Sequence, residues 1–210
     1  MPSRKKPAGT GSVENDKSDY DLKRLAIAKA AAKVFNKQGY LSTNVDQIAA
    51  AAGLKKPSLY HYFGSKSDIL FAIHEQFIDV LIEKQKARRD DTLSIRDSLT
   101  EDMADALSLL DSHNGHHRVF YENFGELPVR ERKTIVAKNR DYIEGIEAKI
   151  ERGIANGELR DLPPRMIARA MFGACNWAYQ WYRPRGPMTT REIAEMFSTI
   201  IFDGISTSPR

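Results

Sequence analysis

The 210 residues include 41% hydrophobic side chains, enough for a sizeable core, and a single cysteine, Cys175, which excludes a disulfide framework and suits a reducing cytoplasm. No apolar run approaches the roughly 20 residues of a membrane span, and the N-terminus lacks the apolar stretch of a signal peptide, so a soluble, cytoplasmic protein without a membrane partner is expected. Charge is uneven: residues 1–89 carry 16 basic against 9 acidic side chains and residues 90–210 carry 16 against 19, the footprint of a nucleic-acid-binding module joined to something else.

In chain order, residues 1–20 are polar, hold the basic cluster Arg4-Lys5-Lys6 and cannot bury apolar area, which predicts a disordered basic tail. The tail suits either solvation or insertion into a minor groove. From Asp21 the stripe Ile27, Ala30, Ala31, Val34, Phe35 predicts a support helix ended by Gly39. The stretch Thr43–Lys66 then packs two short helices into two dozen residues. Thr43 and Asn44 are cap-type residues three before Asp46 and Gln47, Val45, Ile48, Ala49 and Ala52 fall at helical spacing, and Gly53 ends the helix. Pro57 suits the first turn of the next, expected over Pro57–Phe63, with Leu59 and Phe63 as its buried pair. The result is a helix-turn-helix. Its outer face carries Lys55, Lys56, Ser58, Tyr60, His61 and Tyr62, donors suited to phosphates and base edges. Ser65, three before Asp68, caps a further helix through Ile69, Leu70, Ile73, Phe77, Val80 and Leu81, with Lys66 in its first turn.

This pattern, with AIAKAAAKVFNKQGY ahead of it and SKSDIL after it, resembles the DNA-binding domain of the TetR (tetracycline-repressor) family of bacterial regulators over about Leu22–Phe71. Phe35, Gly39, Thr43, Ile48, Ala49, Gly53, the run Leu59-Tyr60-His61-Tyr62-Phe63 and Ser65-Lys66 carry the likeness. Two positions depart from it: Lys55 stands where the family usually has a small hydroxyl residue, and Pro57 where many members have Gly. The resemblance implies an all-α fold, with a three-helix helix-turn-helix domain over residues 21–66 and a helical ligand-binding and dimerisation domain over residues 67–210. It also implies a double-stranded DNA operator as partner, a homodimer, and DNA contacts drawn from Thr43, Asn44, Lys55, Lys56, Pro57, Ser58, Tyr60, His61, Tyr62 and Lys66.

Beyond the head only helical periods are visible. One stripe is Ile95, Leu99, Met103, Ala106, Leu107, Leu110; another is Val136, Ile143, Ile146, Ile150, Ile154, ended by Asn156-Gly157. Pro163-Pro164 open a helix expected from Met166 to Tyr182, and Thr189-Thr190 cap a last one through Ile193, Phe197, Ile200 and Ile201. On the former, Arg169, Gly173, Asn176, Trp177 and Gln180 share a face that suits either a pocket or a dimer interface. The stretch Asn176–Phe197 is similar to the TetR subset that senses acyl-CoA thioesters. That similarity implies a small-molecule effector, an acyl tunnel with Phe120, Phe124, Ile143 and Phe172 as wall residues, and Arg169 or Arg183 near phosphates. Ser112–His117 has the spacing of a junction between helices rather than of a zinc site, so no metal and no cofactor is expected. No nucleophile–base spacing or phosphate loop points to an enzyme. A ligand-responsive repressor and a purely architectural DNA-binding dimer both fit the head; only the first predicts an effector.

Overall fold

A computed structural model describes residues 11–88, 93–113 and 115–205, the side chains of 11–18 excepted, and its regular elements are helical. The first helix, α1, spans Gly11–Gln38, so half of the expected tail is helix; Arg4-Lys5-Lys6 lie outside the described residues. No Pro or Gly interrupts residues 12–38, so no local breaker ends the helix between Gln38 and Gly11. Its buried face is Ile27, Ala28, Ala31, Ala32 and Phe35. Gly39, at φ +85°, closes it, with its N–H on the Phe35 carbonyl at 2.8 Å.

Helices α2 (Val45–Ala51) and α3 (Lys56–Tyr62) follow, joined through Gly53 at φ +66°, a conformation that glycine adopts without strain. Ile48, Ala49, Leu59 and Phe63 bury with the α1 face and with Ile69 and Leu70 of α4 (Lys66–Ala87), completing the head. α4 does not stop there: Ile73, His74, Phe77, Ile78 and Leu81 carry its buried face into the body, so the boundary placed at residues 66 and 67 falls at the start of a helix that serves both parts.

The body consists of α5 (Ile95–Ser112), α6 (His116–Glu122), α7 (Val129–Ala155), α8 (Pro164–Trp177) and α9 (Thr190–Phe202). α5 is central, packed along α9 and touched by α7 and α8, while α7 lies against α4 and the small α6 bridges α1, α4 and α5. Thr100 and Ser198 share a buried hydroxyl–hydroxyl hydrogen bond of 2.7 Å between α5 and α9. Two expectations shift. The α7 stripe is Ile135, Tyr142, Ile146, Ile150 and Gly153, whereas Val136 is 56% exposed, because Tyr142 packs edge-on to Phe172 at 5.7 Å and Gly153 lets α7 approach Ile95. The α8 helix gives way to a 3₁₀ turn over Ala178–Gln180, short of Tyr182. The junction expected at Ser112–His117 does lie between two helices, α5 and α6, and His116 and His117 are buried.

Candidate nucleic-acid interface

Local sequence rules set the start of α2. The Asn44 side chain accepts from the Gln47 N–H at 2.9 Å while the Gln47 side chain accepts from the Asn44 N–H at 2.9 Å, a complete capping box. Asn44 is exposed. Thr43 is not: it is 2% exposed, its hydroxyl donates to the Gly39 carbonyl at 2.7 Å, and Gln38 donates to the same hydroxyl at 3.1 Å. Its hydroxyl is spent on the turn after α1, so its place among the DNA contacts is corrected to a positioning one.

On α3, Leu59 and Phe63 face the core, and Lys55, Lys56, Pro57, Ser58, Tyr60 and His61 all lie on the exposed side. Six of the ten expected residues therefore form one surface. Lys55 occupies the N-cap without a side-chain cap bond, which leaves the first N–H groups of α3 and its own ammonium directed at whatever approaches. Lys56 pairs with Asp46 at 3.0 Å, an exposed contact that phosphate can outcompete. Tyr62 is only half exposed, because its ring stacks on Tyr20 at 5.1 Å.

The residues that hold α3 in place were not expected. Arg24 of α1 donates to the Tyr62 carbonyl and sits over the Phe63 ring at 4.2 Å, and the Tyr20 hydroxyl donates to the His61 carbonyl at 3.3 Å. Together they brace the C-terminal end of the short helix, whose last carbonyls lack intrahelical partners. The local pattern of α3 gives no signal for them, since they lie about 40 residues away.

Lys66 requires the largest correction. Its ammonium turns inward, donating to the carbonyls of Tyr40 at 3.0 Å and Thr43 at 2.9 Å and lying 4.4 Å from the Tyr40 ring centroid. It staples the α1–α2 turn to the first turn of α4. Spacing alone puts Lys66 near the duplex backbone; the two outward carbonyls of a tight turn compete for it and win.

The eight candidate effector residues do not converge on one cavity. Phe120 and Phe172 are buried, Phe120 against Phe77 at 4.6 Å and beneath His74, and Phe124 and Ile143 are half-buried. Arg169, Gly173 and Trp177 point outward, Trp177 at 61% exposure, and Asn176 is half-buried beside them. The amphipathic period of α8 explains this: Ala168, Met171, Phe172 and Cys175 take the inner face, so residues one and two positions on face solvent. With Met166 on α8, Trp181, and Met196 and Ile200 on α9, Trp177 is one of several large apolar side chains left exposed on these elements. Among the described residues no set of His, Cys, Asp or Glu converges as a metal site.

Comparison with known proteins assigns the fold a family. Residues 27–73 match the bacterial regulatory proteins of the tetR family, and residues 92–205 match the tetracyclin repressor-like C-terminal domain. The chain belongs to the TetR family. The HTH-type transcriptional repressor KstR2 of Rhodococcus jostii strain RHA1 is 27% identical over 194 residues, covering 91% of this chain and 95% of that one. The crystal structure of PfmR from Thermus thermophilus, a TetR family regulator, aligns with a TM-score of 0.80 at 28% identity over 86% of this chain and 98% of that one. AibR, solved in complex with isovaleryl coenzyme A and operator DNA, aligns with a TM-score of 0.75 at 26% identity over 86% of this chain and 98% of that one. In this TetR chain the N-terminal match spans the C-terminal part of α1, both short helices and the first turns of α4, and so includes the exposed α3 surface but not Tyr20 and Arg24, which brace it. It is a regulator of transcription and not an enzyme. No helix among the described residues is long and apolar enough to cross a membrane.

Proposed function

We propose that the protein is a cytoplasmic, ligand-responsive transcriptional repressor that grips a palindromic operator as a homodimer and releases it when a small hydrophobic or acyl-CoA-type effector occupies the body. The observation that carries the reading is the single surface formed by Lys55, Lys56, Pro57, Ser58, Tyr60 and His61 on a helix whose opposite side is core. Its length matches the few side chains that a recognition helix presents to base edges, with Asn44 beside it for phosphate. One such helix discriminates a base by only about 1–3 kcal/mol per good contact, which favours two copies on a symmetric site. The outer side of α8 and α9, with Trp177, Trp181, Met196 and Ile200, is the proposed dimer surface, and Arg169, Gly173 and Asn176 pass from pocket to that surface. For the effector, Phe120, Phe124, Ile143 and Phe172 remain the proposed walls, and the isovaleryl coenzyme A held by AibR supports the acyl-CoA class.

The test is selection of binding sites from random duplex DNA by the full chain, followed by titration of the bound complex with CoA thioesters of graded length beside the free acids. The reading expects half-sites about 34–36 Å apart and an affinity lowered about 5- to 150-fold by the matching thioester. A selected palindrome whose affinity no thioester or acid changes would leave an architectural dimer instead.

A further inference from the structure

The surface around α3 contains one carboxylate. Asp46 is the single acidic residue between Gly39 and Lys66, it stands in the first turn of α2, and its Oδ2 accepts from the Lys56 ammonium of α3 at 3.0 Å. We propose that Asp46 and Lys56 together read one base pair of the operator, a G·C pair whose guanine faces Lys56 and whose cytosine faces Asp46. The inference rests on α3 being the recognition helix and adds to it a base contact from α2.

Position brings the pair to the bases. A helix entering the major groove places its N-terminal residues against base edges, and Lys56 is the first residue of α3. The contact between the two side chains carries the Asp46 carboxylate to the same end of that helix. Both side chains are exposed, at 47% for Lys56 and 63% for Asp46, and among the described residues neither has a second hydrogen-bond partner. The ammonium therefore has two further N–H groups to give, and the carboxylate keeps most of its lone pairs.

A donor and an acceptor 3.0 Å apart are the complement of the central major-groove atoms of a base pair. In G·C, O6 of guanine and N4 of cytosine are hydrogen-bonded to each other at about 2.9 Å, and each has one further bond to make in the groove, O6 as acceptor and N4 as donor. Lys56 donates to O6 and Asp46 accepts from N4, with their own contact intact. In the same orientation C·G and A·T set a donor against the ammonium and an acceptor against the carboxylate. T·A has the right order, but its methyl lies where guanine offers N7, and adenine N7 lies beside the carboxylate. Phosphate answers only half of the pair, because it takes the ammonium and leaves Asp46 facing a polyanion. An exposed ion pair contributes little to stability, so the fold alone gains little from the contact.

The experiment selects binding sites from random duplex DNA with the full chain and with three variants: Asp46→Ala, Lys56→Ala, and the exchange that combines Asp46→Lys with Lys56→Asp. All change exposed side chains, and urea unfolding checks that each variant is folded. Wild type should select one G·C pair at a fixed position of each half-site. Asp46→Ala and Lys56→Ala should each weaken that preference about tenfold, as loss of one good base contact does. The exchanged pair should prefer C·G there, an inversion that a merely supporting carboxylate does not produce. On DNA of unrelated sequence Asp46→Ala should bind more tightly, with a salt slope steeper by about 0.9, since the freed Lys56 takes a phosphate. The proposal is overturned if Asp46→Ala keeps the wild-type preference at every position, or if the exchanged pair still selects G·C. A wild-type chain that selects no sequence overturns the reading of α3 as the recognition helix, and this inference with it.

Discussion

Replacing Lys66 by Met separates two roles that the same cation could play at the edge of a DNA-binding head. In the fold the ammonium donates to two carbonyls, at 3.0 and 2.9 Å, and lies 4.4 Å from a tyrosine ring centroid. A hydrogen bond from a charged group contributes about 1.5–3 kcal/mol when buried and less at a half-exposed site, so the two together contribute about 2–3 kcal/mol. The cation–π contact adds about 0.5–1 kcal/mol. The Tyr40 carbonyl keeps the Thr43 N–H at 3.1 Å, so the Thr43 carbonyl bears most of the loss. Met retains the stem and removes the charge, so urea unfolding should show a loss of about 3 kcal/mol, with amide exchange accelerated first in α2. The dependence of operator affinity on salt should meanwhile keep its wild-type slope, because no phosphate contact is removed. A phosphate-gripping Lys66 predicts the reverse: near-normal stability and a slope shallower by about 0.9. Observing that reverse pattern would refute the assignment of Lys66 to the turn.

Lys55→Ala should lower the salt slope by about 0.9 with little change in urea stability, and Ser58→Ala should instead broaden base preference in a random-DNA selection. On the proposed dimer surface, Trp177→Lys should raise the dissociation constant of the proposed dimer at least about thirtyfold, read by sedimentation, since central aromatic residues of an interface typically carry about 2 kcal/mol or more. Burial, then the nearby His116 and His113, hold the His117 pKa down to about 3, and burial also lowers that of His74. Both folded values lie below the unfolded one of about 6.5, so the stability linked to these neutral rings is complete above that pH and is lost as the pH falls through it. Wild type should therefore lose this stability between about pH 6.5 and about 3, and His117→Phe should flatten the slope by up to about 1.4 kcal/mol per unit. Asp102→Ala should cost about 3–5 kcal/mol in urea unfolding, because it strands Arg88 and Lys149, which meet that 1% exposed carboxylate at 2.9 and 2.6 Å.

The head was legible where its rules are local. Asn44 caps and Gly53 turns within a few residues of their partners, Pro57 lies in the first turn of its helix, and Leu59 and Phe63 bury as an i, i+4 pair. What could not be read depends on partners far along the chain. Lys66 looks like a phosphate ligand until the carbonyls of Tyr40 and Thr43 are brought to it, and nothing near α3 indicates that Tyr20 and Arg24 brace its end. In the body, aliphatic counting selected Val136 and missed Tyr142 and Gly153, because packing on α7 is decided by a ring that meets Phe172 and by a missing side chain at α5. The polar and aromatic face of α8 was ambiguous for a related reason. A surface awaiting a second subunit and a wall awaiting a ligand have similar composition; what the fold adds is that Met171, Phe172 and Cys175 take the inner face.

α4 is the element that packs in both head and body. At 22 residues it is about 33 Å long. At one end Lys66, Ile69 and Leu70 bind it to the head; near its middle His74 meets the Phe120 carbonyl of α6 at 3.2 Å, and Glu75 and Asp79 hold Lys138 of α7 at 2.8 and 2.7 Å. At the far end Lys84 meets Asp105 of α5 at 2.9 Å, and Arg88 shares the buried Asp102 with Lys149 of α7. Burial raises the Asp102 carboxyl pKa while Lys149 and Arg88 pull it back, so removing either cation would leave a costly buried charge, and the far end resists sliding. A helix fixed in this way at its body end moves mainly by tilting. A tilt of about 5° displaces the opposite end by about 3 Å over that length. Between the two ends, the buried His74 and Phe120 pack against Phe124 and Phe77. An effector bound as proposed, against Phe120 and Phe124, would push on α4 between its fixed body end and the head, so the head end would move further than the point of contact.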